Sequence, residues 1–172
     1  MKKIFTLISI ITFSAFTFIA CAQQDKSKRP SPPAIVKVTT NNGVTISIDY
    51  SQPSLKNRNV SSLAINGEVW RTGANEATVF EVDKDVKINH QNLPAGKYGL
   101  FTIPNEKEWT IIFNKTWKQW GAFSYKESDD VLRLKVTPIS SETSYEKMTF
   151  SIDKSGKISL LWGNLEVPFT VN

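Results

Sequence analysis

From Val36 onward, apolar side chains fall at every second position in one short segment after another. That beat matches a strand that buries one face and wets the other, and it does not match the 3.6-residue period of a helix. Val36, Val38 and Thr40 precede Asn41-Asn42-Gly43, and Val44, Ile46, Ile48 and Tyr50 follow it. An Asn-Gly pair between two alternating runs predicts a hairpin, because the tight turn wants positive φ at its central residues. Phe80 and Val82 flank the charged turn Asp83-Lys84-Asp85 from one side, Val86 and Ile88 from the other. Leu93-Pro94-Ala95-Gly96 leads into a run from Lys97 to Ile103. Trp109, Ile111 and Phe113 form a further face, then Leu132, Leu134 and Val136, then Met148, Phe150 and Ile152. Asp153-Lys154-Ser155-Gly156 closes a hairpin onto Ile158, Leu160 and Trp162, and Val167, Phe169 and Val171 end the chain. About ten short strands with regularly spaced turns predict an all-β domain, an antiparallel, jelly-roll-like β-sandwich.

Two stretches break this rhythm. Gln52 to Asn59 holds Pro53 and two basic residues, and Thr116 to Asp130 has room for one helical turn. Long connections on a rigid β scaffold are where binding groups concentrate.

The first twenty residues follow a different rule. Lys2 and Lys3 precede an uncharged apolar run, Ile4 to Ile19, which ends at the small Ala20 and then Cys21. This is the layout of a secretory signal, too short for a transmembrane span. Phe18-Ile19-Ala20-Cys21 resembles the lipobox of bacterial lipoproteins, in which the cysteine sulfur receives a diacylglycerol before the signal is cut away. Cys21 is the only cysteine, so an internal disulfide is excluded. The expected organisation is a signal peptide over 1–20, a flexible tether over 21–34 with three prolines and little apolar content, and one domain over 35–172. The net charge of +5 shrinks to +1 in the domain once Lys2, Lys3 and the +2 of the tether are set aside. A nearly neutral domain lacks the basic footprint of a nucleic-acid binder. The basic tether instead lies next to the acyl anchor, within reach of lipid headgroups.

Trp70-Arg71-Thr72-Gly73-Ala74-Asn75-Glu76 is the most specific run in the chain. With Asp49-Tyr50-Ser51-Gln52-Pro53-Ser54, the segment Leu93 to Pro104 and Trp120-Gly121-Ala122, it resembles a family of secreted bacterial proteins catalogued as domain of unknown function 2911. The resemblance covers about Ser31 to the C-terminus. It implies a secreted β-domain and brings no activity with it. Gln52 and Asn57 stand where the family pattern has Arg and Gly.

Arg71 and Glu76 are the first candidates for chemistry. A guanidinium grips a carboxylate or phosphate with two prongs, and Gly73 and Asn75 permit the turns that would bring both side chains to one pocket. Arg71 and Asn75 would donate and Glu76 would accept. The alternative is an internal network that pins a loop, since most polar side-chain bonds go to backbone or water. Trp117, Trp120, Phe123 and Tyr125 form an aromatic cluster that would either stack on a sugar ring or plug the end of the sandwich. The candidate ligand-binding surface therefore comprises Tyr50, Arg58, Trp70, Arg71, Asn75 and Glu76, extended by Trp117 and Trp120. Catalytic residues are not identifiable, and no cofactor is implied. His90 is the single histidine and lies in a polar turn, so zinc and a serine triad are disfavoured. Glu127, Asp129 and Asp130 lack a calcium-loop spacing and read as a solvated turn.

These residues support an envelope lipoprotein that is held to the membrane by its acyl anchor. Delivery to the outer membrane, facing the periplasm or the surface, is the expected location. Its domain would be a non-catalytic binding or accessory module for a small polar ligand, a glycan or an envelope protein. A hydrolase using Glu76 with a second carboxylate is the rival enzyme reading, because paired acids are defined by separation in space. A purely structural role is the third, favoured if Arg71, Asn75 and Glu76 are satisfied internally.

Overall fold

In the computed structural model, which describes residues 25–172, the alternating segments become ten strands. They are β1 (Pro33–Thr39), β2 (Thr45–Ser51), β3 (Thr78–Val82), β4 (Val86–Ile88), β5 (Gln91–Leu93), β6 (Gly96–Ile103), β7 (Trp109–Asn114), β8 (Asp130–Val136), β9 (Ile139–Ile152) and β10 (Lys157–Thr170). Six pair antiparallel in the order β1-β2-β3-β6-β7-β8, while β9 and β10 form a long two-stranded ribbon and β4 and β5 a short one. The class is the all-β sandwich that the period of two predicts. Its connectivity differs from a jelly roll. The large sheet is a meander whose only interruption is the β4–β5 excursion, and it contains no Greek-key crossing. Alternation reports which face each strand buries and carries no information on which strands become neighbours, so it could not supply that connectivity.

The inner face of the sheet is built from Ile46, Ile48, Phe80, Leu100, Ile111 and Phe113, each at most 2 % exposed. The β9–β10 ribbon covers it. Tyr50 meets Phe150 edge-on at 5.0 Å, Phe113 meets Phe169 at 6.1 Å, and Trp70 stacks on Trp162 at 5.6 Å. Each such pair adds roughly 0.5–1.5 kcal/mol beyond burial of its area. The Asp153–Gly156 turn closes the ribbon as expected, with Asp153 N–H donating to the Lys157 carbonyl. The two C-terminal segments expected as separate strands run on as one, because Gly163 absorbs the register shift at φ +58°.

The outer face matters for function. Register places Asp49, Val79, Gly99 and Asn114 side by side across β2, β3, β6 and β7. A second, small apolar cluster of Ala77, Phe101 and Ile112 lies on this face, with Ala122 and Tyr125 of the long 115–129 connection packed over it. That connection contains the one helical turn its length allowed, a 3-10 turn at Glu127–Asp129.

The signal segment and Cys21 lie outside the described residues. From Asp25 to Pro32 the chain runs against the domain, and β1 begins at Pro33. Among the described residues no helix is long and apolar enough to cross a membrane.

Candidate functional site

The connection from Trp70 to Thr78 is held in a conformation that its own sequence resists. Thr72, a β-branched residue, sits at φ +53° and is fully buried. Its hydroxyl donates to Thr102 Oγ1 at 3.2 Å, and its carbonyl accepts from Thr78 Oγ1 at 2.8 Å. Trp70 Nε1 donates to the Gly73 carbonyl at 3.1 Å. A left-handed conformation at such a residue costs on the order of 1–3 kcal/mol and persists only when its surroundings over-determine it. These bonds do so, and they deliver residues 75–77 to the rim of the outer face.

There, residues 75–77 meet the 115–129 connection. Glu76 bridges to Trp120, Ala77 N–H donates to the Gln119 carbonyl at 3.0 Å, and Gly121 N–H donates to the Asn75 carbonyl at 3.0 Å. Farther along, the connection lies flat on β6 because Gly99 has no side chain. A Cβ at Gly99 would stand 3.4 Å from Trp117 Cα, 3.3 Å from the Thr116 carbonyl oxygen and 2.8 Å from the Phe101 ring.

Between this connection, the outer face of β2 and β3, and the N-terminal segment lies an open pocket of about 450 Å³. Trp117 and Trp120 wall it with Gln119, and Asp49, Glu76, Lys26 and Lys118 supply its charge. Both indoles are accessible, Trp117 at 37 % and Trp120 at 55 % exposure. Each carries a cation against its ring. Lys97 Nζ lies 5.6 Å from the Trp117 ring centroid, and the Arg29 guanidinium lies 5.8 Å from that of Trp120.

The two pocket acids differ. Arg29 Nη1 donates to Glu76 Oε2 at 2.8 Å and to Oε1 at 3.1 Å, and Lys26 Nζ lies 3.0 Å from Oε1. Partial burial opposes the Glu76 charge, but the hydrogen bonds from Lys26 and Arg29 outweigh it and hold its pKa below the ordinary Glu value. Asp49 has no ion pair or hydrogen bond from its carboxylate among the described residues. Desolvation raises its pKa, Lys26 pulls it back, and the nearby Glu76 raises it again, with a net upward shift.

The structure sorts the candidate residues. Glu76, Trp117 and Trp120 share the pocket, and Tyr50 borders it. The Tyr50 phenol nonetheless points the other way, into the core, where its oxygen accepts from Phe150 N–H at 3.1 Å. Its position in the inward half of the β2 alternation dictates this. Trp70 is likewise a core residue, 7 % exposed. Arg58 caps a separate turn, donating to the Leu55 and Ser54 carbonyls. Asn75, at φ +60°, spends its amide on the Ser31 carbonyl at 3.0 Å. Arg71 does not pair with Glu76. It is half-buried, its Nε has no hydrogen-bond partner, and desolvation lowers its pKa. Arg71, Asn75 and Glu76 thus do not form one ligand grip.

Sequence reasoning missed Lys26, Arg29, Asp49 and Gln119. Asp49 was legible in principle, because the inward Ile46, Ile48 and Tyr50 put it on the opposite face. Nothing local marks Arg29, whose partner is 47 residues away. At the acidic turn, Lys115 pairs with Asp129 and Arg133 with both Glu127 and Asp130, while the single histidine, His90, is exposed in its turn.

A family model described as protein of unknown function (DUF2911) matches residues 31–171. No match was found among curated proteins or among solved structures.

Proposed function

The chain belongs to the family described as protein of unknown function (DUF2911), and on that premise we propose that it is a lipid-anchored envelope module whose outer-face pocket binds a saccharide without catalysis. One observation carries the reading: two accessible indoles, Trp117 and Trp120, converge with Asp49, Glu76 and Gln119 on one pocket of about 450 Å³. A sugar ring offers an apolar face and a rim of hydroxyls. Indoles cover the former, and carboxylates and amides accept from and donate to the latter. The anchor rests on Phe18-Ile19-Ala20-Cys21 and the apolar run before it. Residues 22–24 then link the acylated cysteine to Asp25, where the described chain begins.

A glycan array probed with the protein, followed by titration of any bound saccharide against tryptophan emission, tests this. Trp120→Ala and Trp117→Ala should each weaken binding by roughly two- to tenfold, the worth of one aromatic contact. Binding unchanged in both variants, or no saccharide bound at all, overturns the proposal.

That two carboxylates, Asp49 and Glu76, line one pocket favours a second reading, a carboxylate-dependent hydrolase, with Asp49, whose pKa burial raises, as the candidate acid and Glu76, whose pKa is lowered, as its partner. Release of reducing ends from a bound saccharide, abolished by Asp49→Asn, would support it. Binding without turnover leaves the pocket a binding site.

A further inference from the structure

We infer that the tip of the 115–129 connection, Trp120 to Phe123, is a membrane-docking surface that seats the pocket mouth on the lipid headgroups. The inference rests on the anchor reading above.

Phe123 is 87 % exposed, more than any other large apolar side chain among the described residues, and Trp120 follows at 55 % on the same tip. The Phe123 ring lies over its own turn. A Cβ at Gly121 would stand 3.0 Å from its ring, so the ring is folded against the turn that Gly121 makes at φ +63°. The turn is itself fixed by the Gly121 N–H bond to Asn75. A rigid turn that presents Trp and Phe outward resembles no core plug, and aromatic side chains of this kind settle at the boundary between headgroups and acyl chains.

Two features select a bilayer as the occupant. The first is reach. Arg29 stacks against Trp120 and Lys26 lines the same pocket. Lys26 follows Cys21 by only five residues, at most about 18 Å of extended chain. An acyl chain on Cys21 therefore brings this face, and no distant one, to the membrane. The second is charge. Lys118, which lines the pocket beside Trp117 and Trp120, and Lys126, three residues beyond Phe123, have no ion-pair partner among the described residues, whereas Lys115 is paired with Asp129, and Lys26 and Arg29 with Glu76. Basic residues flanking exposed aromatics suit an anionic headgroup layer.

The acylated protein, reconstituted in phosphatidylethanolamine–phosphatidylglycerol vesicles with brominated acyl chains, provides the test. Tryptophan emission reports contact, because Trp70, Trp109 and Trp162 are buried. The protein should float with the vesicles and its emission should be quenched. Trp120→Phe and Phe123→Asp should each reduce the quenched fraction while flotation and far-UV circular dichroism stay those of the parent. Flotation without quenching, or quenching indifferent to both variants, overturns the docking surface and leaves the anchor standing. Failure to float overturns both. A lipid-independent dimer that Phe123→Asp dissolves would give the surface to a second copy of the chain and also overturn the inference.

Discussion

Arg29 binds the Glu76 carboxylate through Nη1, at 2.8 Å to one oxygen and 3.1 Å to the other, and so ties the N-terminal segment to the rim of the pocket. The arginine side chain is 18 % exposed and the glutamate 39 %. Water still screens the pair from one side, which places it nearer a surface salt bridge than a buried one.

Arg29→Ala should therefore cost only about 1 kcal/mol of global stability. Its larger effect should be local. Residues 25–32 lose their strongest tie, and cleavage after Lys26 and Lys28 by trypsin should accelerate well beyond the change in global unfolding. Equal cleavage rates in parent and variant would show that the remaining ties hold the segment: the Lys26–Glu76 ion pair, the Asn75 amide on the Ser31 carbonyl and the Gln52 N–H on the Pro32 carbonyl.

The charge on Glu76 should make stability pH-dependent. Its folded pKa lies below the ordinary value, so its contribution is present above the unfolded pKa of about 4.3 and is lost as pH falls through the folded value. Glu76→Gln should be less stable than the parent in urea at pH 7, and the gap should narrow as the pH falls below the unfolded value. Asp49 has the opposite sign. Its folded pKa is raised, so its ionisation opposes folding, and Asp49→Asn should be at least as stable as the parent at pH 7. A destabilised Asp49→Asn at that pH would contradict this sign.

Thr72 allows a comparison that inverts the usual preference. Both Thr72→Ala and Thr72→Gly lose the hydroxyl bond to Thr102, but only glycine relaxes at φ +53°. Glycine normally destabilises relative to alanine; here Thr72→Gly should exceed Thr72→Ala by about 1 kcal/mol in chemical denaturation. The reverse order would mean that the loop carries no backbone strain.

Gly99→Ala should damage the pocket as well as the fold. The added methyl meets Phe101, which is fully buried, and the backbone of Thr116 and Trp117. Overpacking of this kind costs typically 1–3 kcal/mol. The easiest relief is to lift the Trp117 backbone, which should shift tryptophan emission to the red and weaken saccharide binding beyond what the stability loss explains. An unshifted spectrum would show that Phe101 alone yields.

The all-β class, the faces of β2 and β3 and the Asp153–Gly156 turn were legible in the chain, because side-chain alternation and turn chemistry are local properties. Of the candidate residues the sequence offered, Glu76, Trp117 and Trp120 line one pocket. Their partners were not legible. Arg71 stands five residues from Glu76 and does not reach it, whereas Arg29 is 47 residues away and does. Tyr50 and Asp49 are adjacent in sequence, yet the strand sends one into the core and the other to the pocket. Which strands became neighbours, and where the 115–129 connection came to rest, depended on packing among distant segments. That packing made a pocket of residues between which no short-range rule draws a link.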